Sequence, residues 1–346
     1  MNPSQPPWFA EILATLIDRR DLTEGQMRLL VEEVMAGRCG EAETAALLVA
    51  LRMKGETAVE IAAAAAVLRQ HMVRLEGGPA EVLDTSGTGG DGSGTFNIST
   101  AAALVIAGAG VPVVKHGNRA ISGRTGSADV LAALGVAVEG DTAFARRCLE
   151  RAGMAFCFAP HFHPALGRVA ALRRRLAVRT VFNCLGPLAN PAGACYQLIG
   201  VGRPELLDPI AGALARLGTR RALVVHGRDG LDEVSLAGPT LVREVCGSVV
   251  RAGEWTPRDF GLEPCPLAEL RVDGPGQSAA LVRSVLEGTD GPAARVVLAN
   301  AAAGLLAAER VGSLAEGVAR ARAALTSGQA LGVLRKLVEC SQDQEK

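Results

Sequence analysis

Residues 84–129 read DTSGTGGDGSGTFNISTAAALVIAGAGVPVVKHGNRAISGRTGSAD. Two polar, glycine-punctuated loops flank an apolar run, Ala101–Ala109, that reads as a buried helix. In the first loop Gly87, Gly89, Gly90, Gly92 and Gly94 permit sharp turns and let backbone N–H groups come close to a ligand. Asn97, Ser99 and Thr100 open the helix, so its unpaired donors and the positive end of its dipole converge on one place. Asp91 is discordant, because a carboxylate repels phosphate unless it meets sugar hydroxyls, a lysine or a metal. The combination points to a phosphorylated sugar accompanied by a cation. Taken alone, GTGGD serves equally well as a flexible loop before a capped helix.

In the second loop Lys115 follows the β-branched run Val111–Val114 and leads into His116, Gly117, Asn118 and Arg119. Lysine occurs only at positions 54, 115, 336 and 346, so an ammonium at a strand end stands apart from generic surface charge. Its use as a point charge beside phosphate follows. Lys54, in the helical region, is expected to be replaceable. Ser122, Thr125 and Ser127 add hydroxyls before a helix at Ala128–Leu134, and His116 reads equally as an ordinary hydrogen-bonded loop histidine.

Outward from this stretch the chain divides into three rhythms. The first eighty residues read as helices: Phe9–Ile17, Met27–Ala36 behind the capping box Thr23-Glu24-Gly25-Gln26, Glu41–Met53, and a helix to Met72 capped by Thr57-Ala58-Val59-Glu60. Their apolar stripes exceed what a small bundle can cover, which makes them dimer surface as well as core. From Val82 short β-rich runs alternate with helices: Val82–Asp84, Val111–Val114, Ala155–Phe158, Tyr196–Val201 and Ala222–His226, then an antiparallel excursion through Glu233–Ala237 and Thr240–Val245. Such alternation predicts an α/β fold, a mainly parallel sheet with helices on both faces. Ala159–Pro191 interrupts it with a basic helix carrying Arg168, Arg173, Arg174 and Arg175, and reads as a return to the helical domain. The expected division is a small helical domain of residues 1–80 with about 164–190, and a large α/β domain of 81–163 with about 191–346. The tail from Ser278 to Leu337 is helical, with Ala299–Ala308 buried.

Composition narrows the function classes. Lys plus Arg and Asp plus Glu each number 36, so the chain lacks the basic excess of a nucleic-acid or anionic-membrane binder. No apolar run reaches the roughly 18 residues of a membrane span. The opening segment has no basic region before its apolar patch, unlike a signal peptide. Eight cysteines without a CxxC pair or metal-ligand spacing suit a reducing, cytoplasmic compartment. Asp232 and Glu233 follow the run Ala222–His226, where the loops of a doubly wound sheet form a ligand crevice. Paired carboxylates there are hard oxygen ligands suited to Mg²⁺, or else a solvated acidic turn.

GTGGD, TFNIST, KHGNRAISGRTGSADVLAALG, HPALGRVAALRRRLAVRTVFNCLGPLANP and VVHGRDGLDEVS occur in this order, and together the chain resembles the anthranilate phosphoribosyltransferases, to about Leu337. The resemblance implies transfer of a phosphoribosyl group from phosphoribosyl pyrophosphate to the amine of anthranilate in tryptophan biosynthesis. It implies Mg²⁺, two ions bound with phosphoribosyl pyrophosphate and held by Ser99, Asp232 and Glu233. It places Gly87, Gly90, Asp91, Thr95, Asn97, Ser99, Thr100, Lys115 and Ser127 around phosphoribosyl pyrophosphate, and Gly87, Asn118 and Arg173 around anthranilate, with no residue as general acid or base. It also implies a homodimer through the helical domain. Departures cluster near Arg173: Phe162 where tyrosine is frequent, Gly167 where lysine is, Ala171 where proline is, and Ala177 where glycine is usual. Competing readings are a phosphoribosyltransferase for another aryl amine, a pyrimidine nucleoside phosphorylase, and a non-catalytic nucleic-acid-binding relative of the same fold. The last would show a basic surface and eroded GTGGD or Asp-Glu motifs.

Overall fold

The computed structural model describes residues 7–120 and 124–343, so Ser122 lies outside the described residues. The chain opens with helices Pro7–Ile17, Glu24–Ala36, Glu41–Lys54 and Ala58–His71. Both capping boxes form: Gln26 N donates to Thr23 Oγ1 while Gln26 Oε1 accepts from Thr23 N, and Glu60 answers Thr57 in the same way. Glu60 has a second task that its motif does not reveal. It is fully buried, accepts from Leu22 N at 2.8 Å, and pairs at 2.9 Å with Lys54 Nζ, which also reaches Asp21 and the Gly55 carbonyl. Lys54 is therefore not the replaceable charge its position suggested, since truncating it leaves a buried carboxylate uncompensated.

The sheet has seven strands: β1 (Leu83–Gly87), β2 (Val113–Gly117), β3 (Met154–Phe158), β4 (Tyr196–Gly200), β5 (Arg221–Gly227), β6 (Thr240–Cys246) and β7 (Val249–Trp255). They lie in the order β3-β2-β1-β4-β5-β6-β7. The first five run parallel, β6 runs antiparallel to β5, and β7 runs antiparallel to β6. Strand alternation assigns each side chain to one of two apolar layers. Leu198, Leu223 and Val225 join a core built on helices Ile98–Gly108, Pro292–Ala307 and Gln329–Gln342. Ile199, Ala222 and Val224 face the other way, into a core containing helix Leu207–Arg216 and the N-terminal helices. The chain thus forms a small helical domain and a larger α/β domain, packed into one continuous second layer.

The antiparallel excursion differs from expectation in one strand. Glu233–Ala237 is not a strand, because side chains take the backbone groups a ladder would use. Val234 exchanges two 2.9 Å hydrogen bonds with the amide of the fully buried Asn300, and Ser235 N donates to Thr240 Oγ1. The partner of β6 is instead β7, joined through Gly247 at φ +57. Its sequence, VVRAGEW, is solvated on both faces and gave no buried alternation to read.

Residues 159–190 carry helices Gly167–Leu176 and Phe182–Leu185 and no strand. Val169, Val181, Phe182 and Leu185 enter the apolar layer shared with the N-terminal helices. Polar tethers fix the segment to the sheet: Asn190 Nδ2 donates to Val114 O at 2.8 Å, His116 Nδ1 meets Gly186 O at 2.9 Å, and His163 Nε2 meets Ala189 O at 3.0 Å. The two imidazole rings meet at a 57° tilt with centroids 4.9 Å apart. Burial, then the neighbouring His116, pushes the His163 pKa down to about 3, and burial lowers that of His116.

A histidine held neutral in the fold is protonated more readily in the unfolded chain. The contribution of His163 to stability should therefore be level above pH 6.5 and fall as pH drops from 6.5 toward 3, by up to about 2 kcal/mol between pH 6.5 and 5. Urea unfolding at stepped pH checks this. The stability difference between wild type and His163→Gln should change by this amount over that range, and a difference independent of pH would contradict the assignment. Ala177 closes the helix Gly167–Leu176 at φ +53, a conformation that glycine adopts without a Cβ penalty. Ala177→Gly is expected to raise stability by about 0.5–1 kcal/mol in the same measurement, where a loss would show the strain to be absent.

Candidate active site

Strand order reverses at β1: β2 and β3 run to one side of it, and β4 to β7 to the other. In such sheets the crevice opens beyond the carboxyl ends of the strands flanking the reversal, here β1 and β4. A cleft of about 400 Å³ lies there, walled by the loop after β1, the loop after β2, the turn after β5 and the segment 159–187. Close approach is built in. A Cβ on Gly87 would press on Gly200 O and Asp232 Oδ2 at 3.2 and 3.3 Å. Gly89, Gly90, Gly92 and Gly94 all have φ between +65 and +82, so the first loop follows a path closed to most side chains.

Of the residues singled out in the sequence, Gly87, Gly90, Asp91, Thr95, Asn97, Ser99, Lys115, Asn118, Ser127, Arg173, Asp232 and Glu233 line this one cleft. Thr100 does not. It is fully buried, one residue behind Ser99 on the inner face of the helix. Asn97 forms no side-chain cap. Its amide oxygen instead accepts from Ser278 Oγ at 3.0 Å, which leaves the first turn of the helix open toward the cleft.

Lys115 lies within β2 rather than at a strand end. Its side chain is buried in β2, and Nζ donates to Thr85 O and, at 3.2 Å, to Ser99 Oγ. Burial depresses its pKa, against the pull of Asp84, Glu233 and Asp232. Ser99 N in turn donates to Glu233 Oε1 at 3.2 Å, so helix start, lysine and carboxylate share one corner. Asp91 and Asp232 lie against each other. Burial first, then repulsion from Asp91 and Glu233, lifts the Asp232 pKa well above the carboxylate range, and burial raises Glu233 to about 7.

Three carboxylates crowded together suit a hard divalent cation. Asp91 Oδ2 is buried without a protein partner, and like charges raise one another's pKa where nothing neutralises them. No group of three His, Cys, Asp or Glu among the described residues could hold a metal ion by itself, so a cation here would draw the rest of its shell from water and substrate phosphates, as Mg²⁺ does. On the wall formed by the inserted segment the half-buried Arg173 guanidinium sits 5.6 Å from the Phe182 ring centre, and no carboxylate among the described residues pairs with it. Arg174 is exposed and Arg175 pairs with Glu41, as solvated helix charges do.

Sequence reasoning missed Arg179, Asn183 and Phe182 on the cleft wall. The signal available was the stretch Arg179–Asn183 itself, within the quoted block that also holds Arg173; its individual members carried no recognisable spacing.

Residues 10–72 match the glycosyl transferase family helical bundle domain, and residues 79–331 match the glycosyl transferase family a/b domain. The anthranilate phosphoribosyltransferase of Thermomicrobium roseum is 54% identical over 308 residues, 88% of each chain. The crystal structure of the Thermus thermophilus enzyme superposes with a TM-score of 0.90 at 45% identity, covering 96% of this chain and 99% of the other. The Saccharomyces cerevisiae enzyme in complex with phosphoribosyl pyrophosphate and Mg gives a TM-score of 0.89 at 27% identity, covering 99% of each. With sequence, fold and cleft in agreement, the chain belongs to the anthranilate phosphoribosyltransferase family.

Proposed function

We infer that the protein transfers the phosphoribosyl group of phosphoribosyl pyrophosphate to the amine of anthranilate, releasing pyrophosphate, a step of tryptophan biosynthesis. The observation that carries this reading is the polarity of one cleft. Glycine loop, helix start, Lys115 and three carboxylates line the cleft from the sheet side, and Arg173, without an ion-pair partner among the described residues, lines it from the inserted segment. In the reaction the bond from ribose C1 to the pyrophosphate oxygen breaks with its electron pair leaving on oxygen. The aryl amine's lone pair forms the new C1–N bond, and its proton departs to solvent or pyrophosphate.

Little is required of a general base, since the nucleophile is neutral and the leaving group holds the charge. The protein's work is to align two substrates and neutralise the charge that develops. Gly87, Gly90, Asp91, Thr95, Asn97, Ser99 and Ser127 surround the phosphoribosyl pyrophosphate end, with Lys115 setting a positive potential from below. Thr100 supports the helix behind them. Asp232, Glu233 and Ser99 would hold Mg²⁺, which when bound neutralises the pyrophosphate; their crowding is better relieved by two ions than by one. Arg173, with Asn118 and the backbone at Gly87, receives the anthranilate carboxylate, for which a planar fork is suited.

We also propose that residues 1–80 with about 164–190 move against the remainder, hinging near Pro160–Pro164 and Pro191–Tyr196 to exclude water. Ile17 and Met53 are 67% and 70% exposed on the packed helices Pro7–Ile17 and Glu41–Lys54, and we place the homodimer contact on the helical domain that carries them. A substrate this highly charged does not cross membranes unaided, so we place the enzyme in the cytoplasm.

Loss of anthranilate fluorescence on adding phosphoribosyl pyrophosphate and Mg²⁺ tests the reading. The wild type should quench it, and Asp232→Asn with Glu233→Gln should slow turnover by about a hundredfold or more while remaining folded. No quenching by the wild type, or full activity of the double variant in excess chelator, would overturn the assignment. Arg173→Ala should raise the anthranilate KM at least about tenfold, roughly 1.4 kcal/mol, with a much smaller change for phosphoribosyl pyrophosphate. An unchanged anthranilate KM would move the carboxylate site to Asn118 and Gly87.

A further inference from the structure

Arg179 lies in the link between helices Gly167–Leu176 and Phe182–Leu185. Its Nη2 donates to the Thr88 carbonyl, in the loop after β1. Thr88 is also tied from the opposite side: its N–H donates to Gly200 O at 2.8 Å, and its Oγ1 accepts from Gly202 N at 3.1 Å. Two residues on, Gly90 sits so close under the guanidinium that a Cβ there would collide with Nη1 and Cζ. Beneath, a Cβ on Gly202 would meet Gly89 O at 2.7 Å. The loop backbone is therefore gripped between the end of β4 and one arginine from the inserted segment.

Such a grip fixes more than position. In a trans peptide the carbonyl and the following N–H point in opposite directions, so anchoring Thr88 O toward Arg179 also sets the direction of the Gly89 N–H. Asp91 and Ser93 shape the far half of the loop through their own side chains, whereas Gly89 and Gly90 have none, so at Thr88–Gly90 an external clamp supplies what the local sequence lacks. Arg179 is not committed to an ion pair, since no carboxylate among the described residues is paired with it, and its charge is felt at Asp232.

We propose that Arg179 is a positioning residue for the phosphate-binding loop, clamping the inserted segment onto Thr88 and Gly90 and so setting the affinity for phosphoribosyl pyrophosphate. The inference rests on the functional reading above. On this account affinity at the diphosphate end depends on a residue of the segment that also carries the acceptor-end Arg173, which couples docking of the segment to the ordering of the loop.

The test is calorimetric titration of phosphoribosyl pyrophosphate with Mg²⁺, in the absence of anthranilate, into the wild type, Arg179→Gln and Arg179→Lys, with melting temperatures and both KM values measured alongside. Arg179→Gln should bind about tenfold more weakly or worse. Arg179→Lys, which keeps the charge and one donor for Thr88 O but loses the plane over Gly90, should fall between it and the wild type. Both should melt close to wild type, and the anthranilate KM should move far less than that of phosphoribosyl pyrophosphate. Wild-type affinity in Arg179→Gln would overturn the proposal. So would a loss shared equally by both KM values, with both variants melting well below wild type, since that is general destabilisation. Failure of the wild type to bind phosphoribosyl pyrophosphate would instead overturn the functional reading, and this inference with it.

Discussion

The reversal of strand order at β1 is the constraint from which the site follows. Connections from β1 through β3 travel to one side of the sheet, and β4 to β7 lie on the other. The carboxyl ends of β1 and β4 are left side by side with no crossover helix between them. The chain exploits the gap by bringing backbones unusually close. Gly87 and Gly200 are register partners in the sheet, and a Cβ on Gly200 would collide with the Asp232 carbonyl, so the carboxylate turn can lie directly over the strand ends. Replacing either glycine would push the acidic turn away from the loop it must face.

Charge balance gives the second half of the account. Lys115 is buried under the cleft floor with Asp84 beside it in the neighbouring strand, and its ammonium is directed to Thr85 and Ser99. Above it, burial first and then repulsion from Asp91 and Glu233 raises the Asp232 pKa well above the carboxylate range. A pocket lined this way is a poor receptor for a bare phosphate and a good one for an anion that arrives with divalent cations. The turn that carries the two adjacent carboxylates is pinned from below by Asn300, whose amide imitates a strand partner for Val234. The acidic end is thus rigid, whereas the glycine loop depends on neighbours for its shape.

Much of this was legible in the sequence because the elements involved carry local signals. Capping boxes at Thr23 and Thr57, apolar runs of strand length, and glycine-rich turns each have a short-range physical cause: both boxes formed where read, the runs Ala155–Phe158, Tyr196–Val201 and Ala222–His226 fell within a residue of their strands, and Val82–Asp84 and Val111–Val114 stopped three residues short of theirs. What escaped were features decided at long range. The ladder place of β7 was hidden because both its faces are wet, and Glu233–Ala237 looked like a strand until Asn300, 66 residues away from Val234, took its hydrogen bonds. Lys54 read as surface charge because Asp21 and Glu60 approach it only in the folded bundle. Thr100 follows Ser99 in the motif, yet helical geometry turns it inward. Arg179 bears no motif of its own, and its role appears only once Thr88, 91 residues earlier, lies beneath it. The departure at Ala177 was visible as a substitution, but its cost became visible only as a positive φ.

The central claim is that the corner formed by Ser99, Asp232 and Glu233 receives a divalent cation together with phosphoribosyl pyrophosphate. Anomalous diffraction from crystals soaked with Mn²⁺ and phosphoribosyl pyrophosphate addresses it directly. The account predicts an anomalous peak within coordination distance of these residues, about 2–2.5 Å from their oxygens, with the diphosphate running along the loop from Gly87 to Asp91. A peak confined to other carboxylates, with the diphosphate bound away from the glycine loop, would contradict it.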